Sequence, residues 1–487
     1  MINQEVANLE PKEVWQLFEA LNEVPRPSKK EERIIAYTKA FGENLGLETI
    51  VDEAGNVIIR KPATSGMEDR KTVVFQSHLD MVHQKNADVD FNFDTEGIRS
   101  YIDGEWVTAE GTTLGADNGM GAATAMAVLA SKDIPHGPLE ALFTIDEETG
   151  MTGAFALKGG LLNADIMMNL DSEDEGELYI GCAGGIDTNV SMTYNEESTN
   201  ANYKAYKIAI TGLKGGHSGM EIILQRGNSN ILMNRLQWMS ARKFGLRVVS
   251  NDGGSLRNAI PREAFSTVVV PKENNDAFLA FVAEYTTIIK GEFSKSDPAL
   301  HLEVSPSDLP EKMMNEKDQQ ALLNAIYACP NGVIKMSDSV EGLVETSSNL
   351  ARIIIKNGEF VGQALQRSSV EPGKEDLANK IRACFELAGA QVEHSGSYPG
   401  WQPNMDSPIL KTMLKVYEDS YGKIPEIKAI HAGLECGILG RNYPEMDMIS
   451  FGPTIRNPHS PDEKVNIETV AKFWDFLKKS LLQVPVK

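Results

Sequence analysis

Seven residues able to bind metals or move protons fall in five short segments. TVVFQSHLDMV carries His78 and Asp80, TTLGADNGMG carries Asp117, LFTIDEETG carries Glu147 and Glu148, IMMNLDSEDEG carries Asp171, and ISFGPTIRNPHSPDE carries His459. Two imidazoles among several carboxylates make a donor set for a borderline divalent ion such as Zn²⁺, with Mn²⁺ or Co²⁺ as alternatives. LFTIDEETG shows the need for positive charge most sharply. Leu142, Phe143 and Ile145 read as a strand entering a core, yet the strand runs into Asp146, Glu147 and Glu148. Adjoining carboxylates repel one another, and partial burial makes ionising them costlier. Either cations compensate or the acids fan out into water. Taken singly, each motif has an ordinary reading: HxD as a polar loop, EE as a solvated pair, DSEDEGE as an acidic surface turn. Five such loops, each polar residue flanked by glycines or small residues, argue together for one site.

The elements that must position these residues alternate between strand and helix. Residues 56–60, 72–75, 139–145 and 165–170 read as buried strands, and the polar residues lie just beyond strands of this kind. In open α/β sheets, sites gather at the carboxyl ends of strands, so the loops can converge. Residues 11–22 read as a helix, and Ser28 with Glu31 has the spacing of a capping box opening a second. GMGAATAMAVLAS, 119–131, is a helix of small residues suited to close packing. In SPILKTMLKVYEDSYG, apolar residues recur every four positions and Gly422 stands where a helix stop is wanted. Short strands at IKAI and DMISF precede a last helix, ETVAKFWDFLKKSLL. Residues 187–397 differ, mixing strands such as YKIAITG, AFSTVVV and ARIIIK with helices near 230–243, 275–291 and 374–388. They read as an α+β domain inserted into an α/β domain formed by 1–186 and 398–487.

Composition bounds the remaining choices. A chain of 487 residues is too long for one ordinary core, and its 41% hydrophobic content suits a globular protein. The formal charge of -22, with no basic run, disfavours nucleic acid and anionic membrane as partners. The N-terminus lacks the pattern of a signal peptide, and no stretch of about 18 apolar residues suggests a membrane span. Four scattered cysteines argue against a thiolate zinc site and a disulfide framework, so the cytoplasm is the expected compartment. GCAGGID and LKGGHSG lack the spacing of a phosphate-binding loop.

In order, SHLDMV, GTTLGADNGMG, TIDEETG, NLDSE and GPTIRNPHSPDE resemble the metal-site segments of the M20 metallopeptidase family. KPATSGMEDRK, GCAGGID, LKGGHSG, LRNAIPREAF, YPGWQP, HAGLECG and HSPDE resemble a bacterial dipeptidase branch of it, and the likeness runs from the first helix to the last. The resemblance implies a zinc-peptidase-like catalytic domain, with a mixed sheet flanked by helices, plus an inserted α+β lid and dimerisation domain. It implies two divalent metal ions, Zn first, with His78 and Asp171 on one, Glu148 and His459 on the other, and Asp117 bridging both. Asp80 would fix the tautomer of His78, and Glu147 would be the general base; Asp146 is left without a role. From the insert, His217 would stabilise the oxyanion, in the same chain or from a partner subunit, and Asn258 and Arg367 would receive the substrate's C-terminal carboxylate. Glu435 could pair with the free amine of a dipeptide. The implied activity is hydrolysis of dipeptides, including Xaa-His dipeptides, by a homodimer joined through the insert. The alternatives are an aminoacylase or carboxypeptidase on the same scaffold, or a metal-bound binding module without catalysis.

Overall fold

The computed structural model describes residues 3–487. The chain forms two compact units, the first comprising residues through Gly181 with Pro403–Ala429 and Leu434–Lys487, the second Cys182–Gln402 with Ile430–Gly433. The expected insert boundaries, 187 and 397, fall inside the second unit.

The first unit is built on an eight-stranded mixed sheet. At its centre Leu139–Thr144, Val73–His78, Ile166–Asn169 and Asp447–Ser450 lie side by side and parallel. Val57–Lys61 and Glu48–Val51 add antiparallel strands on one side. Each central strand carries apolar residues through the core because both faces are covered; Val74, Phe75, Leu142, Phe143, Met167, Met168 and Ile449 are fully buried. Helix Lys12–Asn22 packs on helix Ala116–Ala130. Small residues permit that approach: a Cβ on Gly119 would lie 3.1 Å from the Phe18 ring and 2.6 Å from an Arg26 nitrogen. A four-stranded antiparallel sheet joins Ser100–Asp103, Trp106–Ala109, Lys464–Asn466 and Ile455–Arg456, and so anchors the segment containing His459.

The C-terminal helix reading holds. Helix Pro408–Tyr421 is capped by Ser407, whose side chain accepts from the Leu410 amide, and it stops at Gly422 with φ of 70°. The second N-terminal helix is a correction. It runs Glu32–Asn44 with Glu31 as N-cap, and Ser28 caps nothing. The Ser28 hydroxyl instead donates to the buried Asp80 Oδ2 at 2.8 Å, a charge-assisted bond made in place of any helix cap.

The second unit is α+β, as its pattern predicts. Its largest sheet has nine strands, paired antiparallel along its length. Helices Ser229–Phe244, Asn275–Glu292, Glu316–Ala328 and Glu371–Glu386 contribute Leu236, Phe278, Leu322 and Phe385 to its apolar core. Strands Val344–Lys356 and Glu359–Ser368 meet at Asn357-Gly358, whose φ values of 55° and 79° suit a tight hairpin turn. That hairpin sets Arg367 opposite Ser347 on one side and Gly185 on the other. Among the described residues, no helix is long and apolar enough to cross a membrane.

Candidate metal centre

Four of the five segments are delivered by the parallel strands of the first unit. His78 is the last residue of its strand and pairs in register with Thr144, just before the acidic triplet. Asp171 follows strand Ile166–Asn169, and His459 lies beyond strand Asp447–Ser450. Asp117 opens helix Ala116–Ala130, where the backbone of Asp117 and Asn118 departs from helical values.

These residues converge. His78 Nε2 is 3.1 Å from Asp117 Oδ1 and 3.4 Å from Asp171 Oδ1. His459 Nε2 is 3.2 Å from the other Asp117 oxygen and 2.9 Å from Glu148 Oε2. Two donor triads result, His78–Asp117–Asp171 and Asp117–Glu148–His459, each with its donor atoms within 4.8 Å of one another. Asp117 belongs to both, one oxygen turned toward each histidine. A third group, His78–Glu147–Glu148, brings Glu147 to the same place.

The triads fit divalent cations on two counts. Glu148 Oε1 is buried with no hydrogen-bond partner among the described residues, and Asp171 Oδ1, equally buried, has the His78 ring 3.4 Å away but no well-formed hydrogen bond. Such atoms are costly unless something cationic meets them. The titration pattern shows the same want of charge. Burial opposes charging His78, but Asp171, Asp117 and Asp80 hold its pKa well above the ordinary value. Hydrogen bonds to Asp117 and Glu148 push His459 up to about 11. Asp171, despite His78, is pushed up to about 6 by burial and by the charges of Asp117 and Glu148. Histidines that must protonate to neutralise carboxylates stand where metal ions would do so with neutral imidazole.

Asp80 organises the neighbourhood more widely than tautomer control requires. His78 Nδ1 lies 3.1 Å from the Asp80 carbonyl oxygen and 3.4 Å from Oδ1. The same carboxylate accepts from the Glu147 amide at 3.0 Å and the Glu148 amide at 3.3 Å. It therefore joins the imidazole to the turn bearing both glutamates. Asp146 faces away from that turn's reactive side. Buried and at φ of 54°, it accepts from Lys29 Nζ at 2.7 Å, from Thr152 Oγ1 at 2.6 Å, and from Thr149. Glu147 makes no side-chain hydrogen bond among the described residues, and burial raises its pKa well above the ordinary value.

Several contributing residues escape sequence reasoning. Arg26, in the turn-like PRPS, is 2% exposed and donates to the carbonyls of Leu79 and Gly115. Its charge bears on Glu463, Asp80, Asp117 and Glu148. Glu463 accepts the amides of Leu114, Gly115, Ala116 and Asp117 at 2.8, 2.9, 2.7 and 3.2 Å, gripping the helix start that presents Asp117. Beneath the site a polar layer links Gln76, Thr144, Asn169, Ser450 and Glu435. Its sequence signal is a polar residue near the carboxyl end of each of the four parallel strands, Gln76, Thr144, Asn169 and Ser450.

Glu435 lies in that layer. It is 0% exposed, and its Oε2 accepts from Gln76 at 2.5 Å and Thr144 at 2.6 Å. Burial pushes it up to about 8. Its Oε2 braces two strand ends, while Oε1 is buried with no hydrogen-bond partner among the described residues.

The remaining three predicted residues belong to the second unit. His217 Nδ1 accepts from the amides of Gly219 at 3.3 Å and Met220 at 3.0 Å, so Nε2 carries the proton and is the donor. Arg367 is buried, with one guanidinium nitrogen donating to Tyr398 Oη at 2.9 Å and Nε without a hydrogen-bond partner among the described residues. Asn258 is exposed, and its carbonyl accepts from the Ser218 amide at 2.8 Å.

The chain resembles characterised peptidases. The sequence profile of Peptidase family M20/M25/M40 matches residues 74–483. Cytosol non-specific dipeptidase of Escherichia coli strain K12 is 44% identical over 483 residues, covering 99% of this chain and 100% of the relative. The crystal structure of aminoacylhistidine dipeptidase from Vibrio alginolyticus superposes with a TM-score of 0.96 at 48% identity, over 100% of this chain and 99% of that one. Aminopeptidase PepT from Bacillus cereus ATCC 10987 shares the fold, with a TM-score of 0.62 at 19% identity, over 98% of this chain and 99% of that one.

Proposed function

The chain belongs to Peptidase family M20/M25/M40, it hydrolyses dipeptides, and we propose that it does so with two divalent metal ions and Glu147 as general base. The observation carrying this reading is the pair of donor triads that share Asp117. His78 and Asp171 would hold one ion, Glu148 and His459 the other, and Asp117 would bridge them. Nitrogen and carboxylate donors together favour zinc, with cobalt or manganese as alternatives. Bound there, the ions supply Lewis acidity toward the peptide carbonyl and acidify a water.

The chain's own groups do the rest. Asp80 orients His78 and, through two amides, fixes the turn from which Glu147 and Glu148 diverge. Glu147 takes a proton from the attacking water on a carboxylate oxygen and returns it to the leaving nitrogen. A carboxylate beside a ligand set but unspent on it separates catalysis from mere metal binding, which requires no base. From the second unit, His217 Nε2–H would donate to the developing oxyanion, and Asn258 and Arg367 would receive the C-terminal carboxylate. The planar fork of Arg367 suits that role. The names of the relatives support dipeptides with C-terminal histidine among the substrates, and a cytosolic location. A homodimer through the second unit completes the proposal.

Metal titration of variants tests the ligand assignment. Asp117→Ala should weaken both sites, whereas His459→Ala should weaken mainly one. Two equivalents bound with unchanged affinity by Asp117→Ala would refute the bridge.

A further inference from the structure

We propose that His431 is a positioning residue for the carboxylate-receiving group, an uncharged imidazole that holds Ser347 and the turn at Gly219 beside Arg367 without drawing on the guanidinium's charge. This rests on the reading of Arg367 given above. All the groups concerned belong to the second unit, to which Ile430–Gly433 returns. Arg367 is a buried cation without an anion. One nitrogen donates to the Tyr398 hydroxyl, and Nε has no hydrogen-bond partner among the described residues. The acids of this neighbourhood are committed elsewhere. Asp187, whose charge Arg367 feels, lies 3.6 Å from Arg257 Nε. Glu221 accepts from the His217 amide at 2.8 Å and pairs with Arg226 Nη2 at 2.9 Å. A buried charge without a counter-ion is costly, so the site suits one that arrives with the substrate.

His431 is what the fold sets beside that cation. Its Nε2 lies 2.7 Å from Ser347 Oγ, and Ser347 stands opposite Arg367 in the strand pair. Its carbonyl oxygen closes on the turn after His217. A Cβ on Gly219 would lie 2.1 Å from that oxygen, 3.1 Å from the His217 ring and 3.2 Å from Arg367 Nε, so only glycine fits. The Gly219 amide is in turn one of the two that fix the His217 tautomer. One residue thus braces the Arg367 strand through its side chain and the His217 turn through its backbone. The residue type follows from the charge. His431 is buried, and Nδ1 makes no well-formed hydrogen bond. Burial and the charges of Arg367 and His217 push its pKa down to about 3, so the ring stays neutral. An acid in its place would pair with Arg367 and forestall the substrate's carboxylate, and a lysine or arginine would repel the guanidinium. A neutral imidazole anchors Ser347 and does neither.

The test is calorimetric binding of two phosphinic analogues of an Ala-His dipeptide, one ending in a carboxylate and one in a carboxamide, to metal-loaded protein. The wild type should prefer the carboxylate. His431→Asp should bind the carboxylate analogue about 30-fold or more weaker, as spending a desolvated charge on the wrong partner does. It should bind the carboxamide within about threefold of wild type and keep its metal content. His431→Gln, which is uncharged and can place a nitrogen near that of Nε2, should keep most of the preference. Ser347→Ala cuts the side-chain brace without adding charge and guards against a misfolded His431→Asp; it should weaken the carboxylate analogue about fivefold and the carboxamide less, as loss of one neutral hydrogen bond does. Equal weakening of both analogues in His431→Asp or Ser347→Ala would show a merely structural role and overturn the assignment. So would an unchanged preference in His431→Asp, or a preference lost as fully in His431→Gln. A wild type indifferent to the carboxylate would instead refute the reading of Arg367, and this assignment with it.

Discussion

Glu147 and Glu148 are neighbours of the same chemical type, and the fold gives them different work. Their amides hang from the two oxygens of Asp80, after which the side chains part. Glu148 reaches His459, while Glu147 keeps a carboxylate without a hydrogen bond among the described residues. Glu147→Gln should retain both metals and the fold yet lose about two to four orders of magnitude in turnover, the usual loss for a general base. Near-normal turnover in a fully metal-loaded variant would reassign the base. Glu435 supports a pH prediction. Burial raises its pKa from 4.5 to about 8 in the folded chain, so folding favours its protonated form. That carboxyl costs the metal-free protein nothing below pH 4.5, a growing amount between 4.5 and 8, and a constant amount above. Glu435→Gln should therefore stabilise metal-stripped protein at pH 8 to 9, by on the order of a few kcal/mol, and much less at pH 4.5. Denaturant melts across that range decide it; a gain that is equal at both ends removes the titration from the explanation. The donor residues of the two triads were legible because metal chemistry draws on few residue types. Arg26 and Glu463 were not, since a buried arginine and a helix-gripping glutamate have no identity apart from the partners that folding supplies.

At the scale of elements, Asp117 depends on the start of helix Ala116–Ala130, whose first amides point at Glu463 from a distant part of the sequence. Removing that acceptor leaves buried amides unmet, each a cost of roughly 1–3 kcal/mol when nothing replaces it. Glu463→Ala should lower thermal stability by several degrees and weaken both metals, because both share Asp117. An unchanged melting temperature would show that other groups or water serve those amides equally well. The strands and long helices could be read from periodicity, since burial on both sheet faces demands apolar runs through the core. Ser28 shows where that reading fails. The spacing to Glu31 is right for a capping box, but the hydroxyl finds Asp80, and sequence spacing does not show an acceptor that folding brings from a distant part of the chain.

Across the whole molecule, the shift from strand–helix alternation to an α+β pattern and back exposed the two-unit organisation. The return of Ile430–Gly433 to the second unit was not legible: four residues are too few to carry a pattern, and their membership rests on contacts such as the Ala183 amide donating to the carbonyls of Ile430 and Ala432, each at 3.0 Å. The formal charge of -22 has its chemical counterpart at the site, where acids outnumber the protein's own cations and, in the proposed reading, imported cations are required. That requirement is the central claim, and one measurement meets it directly. Protein stripped with a chelator and titrated with zinc should be inactive on an Xaa-His dipeptide at the outset. It should gain activity until two equivalents per chain are bound, and then no more. Full hydrolysis by the metal-free protein, or saturation of activity at a single equivalent with no second ion bound, would contradict the binuclear account.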